Sequence, residues 1–436
     1  MRIREIVNET QLLDLREDWD NLLKHSPSRS VYMSFEWIYT WWRYFARGKL
    51  FVLVAESNGQ VRCIAPLMLT RERFLGMPYT RVRFIGSDPT GTTKRNVLDK
   101  LFSIDKRYGW SDILDFLYRA EDLESLRATL EYLKRQRGRW DILDLRELHS
   151  STSSIGLLKS TFGGTDCLFN DVAAKVAIVS LETDFETYRK TRKRNWRKNI
   201  SRTYKRVNKL PRLVLGKYVT PTEVAGIMPA VIDLEQKSWQ GNCGVGAFSQ
   251  KNAGQFHREL AELLARRQRF VLYTLESDGR IVCYQYAFWY NNQLCLHNTA
   301  MDPDFRYYSP GFYLQLRIIQ EAFSHQMQQI IFGRGREDYK TKLKNSEEDR
   351  IWITVFGTRL VPRVLGCLEF KARPMMKYLI RGSKNGNGAP RSINVANRAR
   401  KEIADVAICN YHTLKKSIDK MLSAGSKYLW LARSLR

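Results

Sequence analysis

Glu337, Asp338, Tyr339 and Lys340 stand together three residues after Arg334, at the end of a short apolar run, "QQIIFG". Carboxylates set this close to cations have their proton affinities shifted by the neighbouring charge. The cluster therefore offers a general base, Asp338 first and Glu337 second, beside an anion anchor in Arg334 or Lys340. Upstream, "DFRYYSPGFYLQL" places Arg306, Ser309, Gly311 and Phe312 at the entry to a helical apolar pattern. Backbone N–H groups at a helix start, together with the helix dipole, favour an anion, so a pyrophosphate fits here. His297, in "LCLHNTA", is a further candidate base. A lone histidine on a strand is more often structural, so it ranks below Asp338. The bland alternatives are an ordinary connection at Gly311 and a solvated polar loop at 334–342. Position favours function for the second, because ligands of open α/β sheets bind beyond strand ends.

A second chemical signal is charge. In "RKTRKRNWRKNISRTYKR", Arg189 to Arg206, ten of eighteen residues are Lys or Arg and none is acidic. Trp196, Ile200, Tyr204 and Val207 fall on one stripe of a helix, which predicts a packed face. Arg192 and Arg197 spread over the remaining surface and are the candidate substrate-binding cations. Most of such a run is a solvated face, and a subset is expected to meet phosphate. The whole chain carries a net charge of +27 and has a pI near 9.8, which points to anionic partners. No RRM, KH, zinc-finger or helix-turn-helix pattern is present, which weakens nucleic acid as the partner and leaves tRNA open.

The elements that must position these residues read as a mixed α/β protein. "SVYMSFEWIYTWWRYF" predicts a helix capped at Ser34, with Phe35, Ile38, Tyr39, Trp42 and Phe45 at helical spacing. "FVLVAESNGQVRC" predicts a hairpin about Asn58-Gly59, continuing through "IAPLMLT". "FVLYTLESDGRIVC" repeats it about Asp278-Gly279 and extends into a three-stranded meander turning at Asn291-Asn292. Phe51 corresponds to Phe270, Gly59 to Gly279 and Cys63 to Cys283. Because flanking helices and strands recur in the same order, two copies of one α/β unit are expected, at 1–168 and 169–361. Residues 362–436 read as a basic helical tail with sixteen basic and four acidic residues, and a Gly/Asn/Ser-rich linker at 382–397.

Seven cysteines, an odd number with no CxxC pair, argue against a disulfide framework or a zinc site. No metal is expected. "MRIREIVNET" lacks a signal-peptide core, and no apolar run reaches the ~18 residues of a spanning helix. The expected location is the cytoplasm, with peripheral binding at the inner membrane face through the basic tail, worth about 1 kcal/mol per Lys or Arg near anionic lipid.

Taken in order, "SVYMSFEWIYTWWRYF", "CIAPLML", "RVRFIG", "RKNISRTYKR", "MDPDFRYYSPG" and "GREDYKTKL" resemble the GNAT-superfamily acetyltransferase-like proteins of the CelD (cellulose biosynthesis) and BioF2-like type, related to the FemABX aminoacyl transferases. The resemblance spans roughly residues 28–358. It implies tandem GNAT-like modules, each a mostly antiparallel mixed sheet flanked by helices. It implies transfer of an acyl group, acetyl first, from acyl-CoA to an amine or hydroxyl of a glycan, a lipid-linked glycan or an exopolysaccharide precursor. Ser309, Pro310 and Gly311 match the family's "SPG", and Tyr339 and Lys340 its "YK". Of the usual Arg/Gln-x-x-Gly-x-Gly/Ala pyrophosphate signature only Arg306 and Gly311 are present, at a different spacing. In this chemistry Asp338 or Glu337 would take the proton, Tyr339 would return one to the leaving thiolate, and Arg334 or Lys340 would hold acceptor phosphate. The alternatives are a Fem-like transferase using aminoacyl-tRNA, and a non-catalytic scaffold binding RNA or polysaccharide-synthesis machinery.

Overall fold

Asn58 and Gly59 have φ of 52° and 71°, and Asp278 and Gly279 have 51° and 74°. Two residues at positive φ make the turn whose twist matches that of the flanking strands. In the computed structural model, which describes residues 1–74, 77–87, 111–163, 167–244, 246–335 and 337–367, these turns close two matching hairpins. One joins β3 (Val52–Ser57) to β4 (Gln60–Ala65), the other β11 (Phe270–Ser277) to β12 (Arg280–Tyr290). Both carry a bulge at the same place. Ala55 faces Cys63 but Glu56 faces Val61. Leu275 faces Cys283 but Glu276 faces Ile281. Each hairpin has an antiparallel outer strand: β1 (Arg2–Ile6) lies on β3, and β10 (Val214–Tyr218) on β11.

The two hairpins lie in different sheets. The smaller has the order β1-β3-β4-β7, with β7 at Leu117–Tyr118. The larger has eleven strands. It begins with β10, β11 and β12, then β13 (Gln293–Met301), β14 (Gln329–Arg334), β9 (Cys167–Ser180) and β15 (Ser346–Phe356). It ends with β8 (Ile142–His149), β6 (Met77–Phe84), β5 (Leu67–Phe74) and β2 (Lys49–Leu50). Among the described residues β13–β14 and β6–β8 pair in parallel and the other neighbours antiparallel. This is the mixed α/β class expected from the sequence.

The continuous run expected from Gln60 to Thr70 is divided at Pro66. Proline cannot donate to a ladder, and β4 and β5, on either side of it, enter different sheets. Strand β9 has no counterpart in the sequence reading, and the position 168/169 falls inside it. The basic stretch is also two helices: α6 (Phe185–Lys190) and α7 (Arg194–Val207), after α1 (Glu9–Asp14), α2 (Arg16–His25), α3 (Phe35–Phe45), α4 (Leu123–Arg135) and α5 (Ser153–Phe162). The remaining helices used below are α8 (Pro221–Lys237), α9 (Trp239–Asn242), α10 (Ala253–Arg266), α11 (Pro310–Ser324) and α12 (Asp338–Leu343).

Ser34 accepts from the Trp37 amide and caps α3, as its sequence suggested. Trp37, Ile38, Trp41 and Phe45 are buried, each contributing roughly 1.5–3 kcal/mol by leaving water. Trp37 meets Phe256 of α10 and Phe288 of β12 edge-on, at 5.7 and 5.6 Å between ring centres. Helix α3 thus carries the first hairpin's half of the chain into one core with the second. On α7, Trp196 and Val207 are buried, with Ile200 and Tyr204 packed beside them, so the predicted stripe is the face that packs. The tail and the 382–397 linker lie outside the described residues.

Candidate active site

The sheet opens where β13 and β14 part. Their parallel pairing covers Gln293–Cys295 against Gln329–Ile331 and then stops. Beyond it β14 is held by β9, with a register shift between Ile331 and Arg334. Gly333 lies within that shift at φ 66°, and a Cβ there would sit 2.8 Å from Asp112 Oδ2. The gap between the diverging strand ends is a cleft of about 1250 Å³, larger than the ~300–1,000 Å³ typical of small-molecule sites. A smaller cavity of about 380 Å³, between β10 and α11, holds none of the candidate residues.

One wall of the cleft is the start of α11, with Arg306, Ser309, Gly311 and Phe312 on it. Ser309 sits at φ 55° and makes no side-chain cap. Pro310 follows at the first helical position. The amides of Gly311 and Phe312 consequently have no acceptor within the helix. A Cβ on Gly311 would meet nothing within 4 Å, so a ligand can approach the backbone there. Arg306 is exposed. The other cations lining the cleft are each paired with a carboxylate: Lys175 with Asp349, Arg334 with Asp112, Lys340 with Glu337 and Lys342 with Asp338. Among the described residues Arg306 has no such partner, and its charge remains available to an anion.

The opposite wall is the end of β14 and α12, which the sequence left without an element. Here most of the charged side chains already have partners. Asp338 lines the cleft but its side chain is 82% exposed and paired with Lys342. It stands in solvent, its charge met by the lysine one turn on. Glu337 is paired with Lys340 at 3.0 Å. Lys340 also donates to the Arg334 carbonyl at 2.6 Å, which fixes the turn into α12. Arg334 is half-buried between Asp112, at 3.1 Å, and Glu147, and donates to the Ser111 carbonyl. With two carboxylates on it, Arg334 braces the β14 end and is a poor phosphate anchor. Tyr339 lines the cleft, and burial, then Glu337, pushes its phenol up, so it stays protonated.

His297 is brought into this site by a bulge. Tyr286 faces Asn298 while Ala287 faces Leu296, so His297 is the extra residue. A bulge breaks strand alternation, and both His297 and Asn298 reach the side of β13 that holds Tyr284 and Phe288. The imidazole packs against Phe288, His257 and Trp37 at 5.2–5.5 Å. Its Nδ1 is 3.1 Å from the Tyr32 hydroxyl. Burial lowers its pKa to about 4, against a partly opposing pull from Asp112. The ring is thus neutral at ordinary pH and lines the cleft.

Arg192 and Arg197 do not line the cleft. Arg192 stacks on Tyr188, 4.3 Å from the ring centre, and donates to the Lys344 carbonyl at 2.6 Å. Its guanidinium packs α6 against the end of α12. Arg197 lies on the exposed side of α7. From α7 it is Asn199 that reaches the cleft. The sequence reading also missed Tyr32, Asp112, Glu235, Gln285, Asn298 and Gln315. Glu235 left one usable signal: a carboxylate directly beside Leu234 on the apolar face of α8, where Val224, Met228 and Val231 are buried.

Comparison with known proteins agrees with this architecture. Residues 194–341 match the family described as Acetyltransferase (GNAT) domain. The solved structure of FemX superposes with a TM-score of 0.52 at 11% identity, covering 80% of this chain and 97% of that one. A conserved protein of unknown function from Bacteroides thetaiotaomicron VPI-5482 gives 0.50 at 12% identity, covering 81% and 100%. No curated protein matches the chain by sequence. The chain has the fold of GNAT-domain acetyltransferases, in a form shared with FemX. Among the described residues no helix is long and apolar enough to cross a membrane.

Proposed function

We propose that this protein transfers an acyl group, acetyl first, from acyl-CoA to an amine or hydroxyl of a glycan or envelope precursor, as its CelD/BioF2-like resemblance implies. The observation that carries the reading is Arg306, without a carboxylate partner among the described residues, beside the open amides at the α11 start on a cleft that also holds His297. Those amides and Arg306 suit the donor's pyrophosphate. The acceptor nucleophile attacks the thioester carbon. A carbon–nitrogen or carbon–oxygen bond forms, the carbon–sulfur bond breaks, and the sulfur leaves as thiolate. The acceptor's proton passes to His297 Nε2, while the ring's other proton stays on Nδ1, hydrogen-bonded to the Tyr32 oxygen. Tyr339, kept protonated by burial, supplies a proton to the thiolate. The products are the acylated acceptor and CoA. The base role assigned to Asp338 from sequence thus moves to His297. The protein works in the cytoplasm or at the inner face of the membrane.

A thermal-shift titration tests this. Acetyl-CoA should raise the melting temperature of the wild type in a salt-tolerant way, because a ligand binding only the folded state stabilises it. Arg306→Ala should weaken the shift. Absence of a shift with any acyl-CoA would sink the reading.

One observation favours a second reading. Arg194, Arg197, Lys198, Arg202, Lys205 and Arg206 are exposed on α7. Among the described residues none of them is paired with a carboxylate. This face suits a large polyanion, as an aminoacyl-tRNA-dependent transferase would need. Binding of bulk tRNA that weakens steeply with salt, with no acyl-CoA shift, would support it.

A further inference from the structure

Beneath the cleft, Glu235 is fully buried on α8. Its Oε1 accepts from the Phe248 amide at 2.6 Å. Its Oε2 accepts from the Tyr284 hydroxyl at 3.0 Å and from Asn298 Nδ2 at 2.5 Å. The segment 246–248 closes tightly over it: a Cβ on Gly246 would lie 2.5 Å from Oε1. A carboxylate only accepts hydrogen bonds, so the Asn298 atom facing it must be the NH₂ group. That settles which way round the amide sits. Asn298 lines the cleft. Its Oδ1 has no partner among the described residues, and it is the atom left for whatever enters. The bulge at His297 puts the imidazole next to it in the chain and on the same side of β13.

We infer that Asn298 binds the acceptor's nucleophilic group through Oδ1, and that the buried Glu235 is the positioning residue that fixes this orientation. The inference rests on the acyl-transfer reading, with His297 Nε2 as the proton acceptor. Two neighbouring acceptors, Asn298 Oδ1 and His297 Nε2, then face the nucleophile. A neutral primary amine supplies two N–H donors and keeps one lone pair for attack. A hydroxyl has a single hydrogen, so one of the two acceptors is left unmet, at a cost of roughly 1–3 kcal/mol. The pair therefore selects an amine over a hydroxyl of the same shape. In the transfer the amine nitrogen bonds to the acyl carbon as the carbon–sulfur bond breaks. One proton passes from nitrogen to His297, and the other remains in the amide product, bonded to Asn298.

The test uses the full chain, acetyl-CoA as donor, and acceptors in isosteric pairs: glucosamine with glucose, and cyclohexylamine with cyclohexanol. Acylated product is measured by mass spectrometry. The wild type should acylate each amine about tenfold or more faster than its hydroxyl partner. In Glu235→Gln the new NH₂ opposes the Asn298 NH₂, and Asn298 must turn its own NH₂ to the cleft. The amine KM should rise about tenfold, while acetyl-CoA affinity stays unchanged. The double variant Glu235→Gln/Asn298→Asp again places a donor opposite an acceptor and an oxygen in the cleft. It should recover most of the lost affinity, which a purely structural role for Glu235 does not predict. Asn298→Leu reads the same loss if Glu235→Gln folds poorly. Equal rates on amine and hydroxyl, or no rescue in the double variant, overturn the inference while leaving acyl transfer standing. Transfer to amines that survives His297→Ala overturns the base reading. No transfer to any acceptor by the wild type removes the acetyl-donor reading and this inference with it.

Discussion

The two hairpins share a turn, a bulge and an outer strand, and among the described residues it is the second that borders the candidate cleft. Beside the first, the next strand is β7, two residues long. Just before it Asp115 is buried, and all around it is satisfied: Ser28 and Thr152 donate at 2.5 and 2.6 Å and the Phe116 amide at 2.8 Å. Beside the second, the next strand is β13, nine residues long and bulged at His297. There His297 Nε2 and Asn298 Oδ1 have no protein partner among the described residues. The same supersecondary unit thus serves as packing where its polar groups satisfy one another, and as a site where they are left open. Polar groups held without partners are what a ligand can complete.

The comparison can be broken experimentally. The largest effect expected is from His297→Ala, which should lower kcat roughly 10²-fold or more with little change in acyl-CoA affinity. Steady-state kinetics on an accepted amine checks it. Asp115→Ala, in the matching place of the first half, should do the reverse. It strands buried Ser28 and Thr152 hydroxyls and should lose about 1–3 kcal/mol of stability per stranded group in urea unfolding, with kcat per folded molecule retained. If Asp115→Ala instead abolished turnover at unchanged stability, the first half would hold chemistry too.

Arg306→Ala should raise the acyl-CoA KM about tenfold with kcat unchanged, the loss of one charge-assisted contact to phosphate. Asp338→Ala should alter turnover within about twofold, because an exposed ion pair of this kind is worth ~0–1 kcal/mol. A large loss there would return the base to α12. The smallest effect is in pH dependence. His297 titrates at about 4 rather than the usual ~6.5, so the acid limb of kcat should fall near pH 4. The same shift has a sign for stability. Between roughly pH 6.5 and 4 the unfolded histidine binds a proton that the folded one refuses, so stability should fall as pH is lowered through that window. Melting temperatures across it check the direction.

Much of the scaffold was legible beforehand. Asn-Gly and Asp-Gly admit one kind of tight turn, and Ser34 before an apolar period admits a cap, so local sequence was enough for those elements. The α11 entry, Arg306 and Gly311, was legible for the same reason: helix starts expose amides wherever they occur. The base was not. Asp338 looked strongest because charge is visible in a sequence, whereas exposure and pairing with Lys342 are not. His297 looked weak because its rank depends on a bulge, on burial by rings from α3 and β12, and on Tyr32, which lies far away in the chain.

By itself, then, the sequence determined what depends on neighbours along the chain: turn chemistry, helix caps, the basic stripe on α7 and the repeat of one hairpin. Tertiary structure alone decided which copy opens into a cleft, which cations keep their charge free, and which way Asn298 points. Those outcomes depend on desolvation and on which donor meets which acceptor. Both are set by residues such as Glu235 and Asn298, brought together only when the sheet is complete.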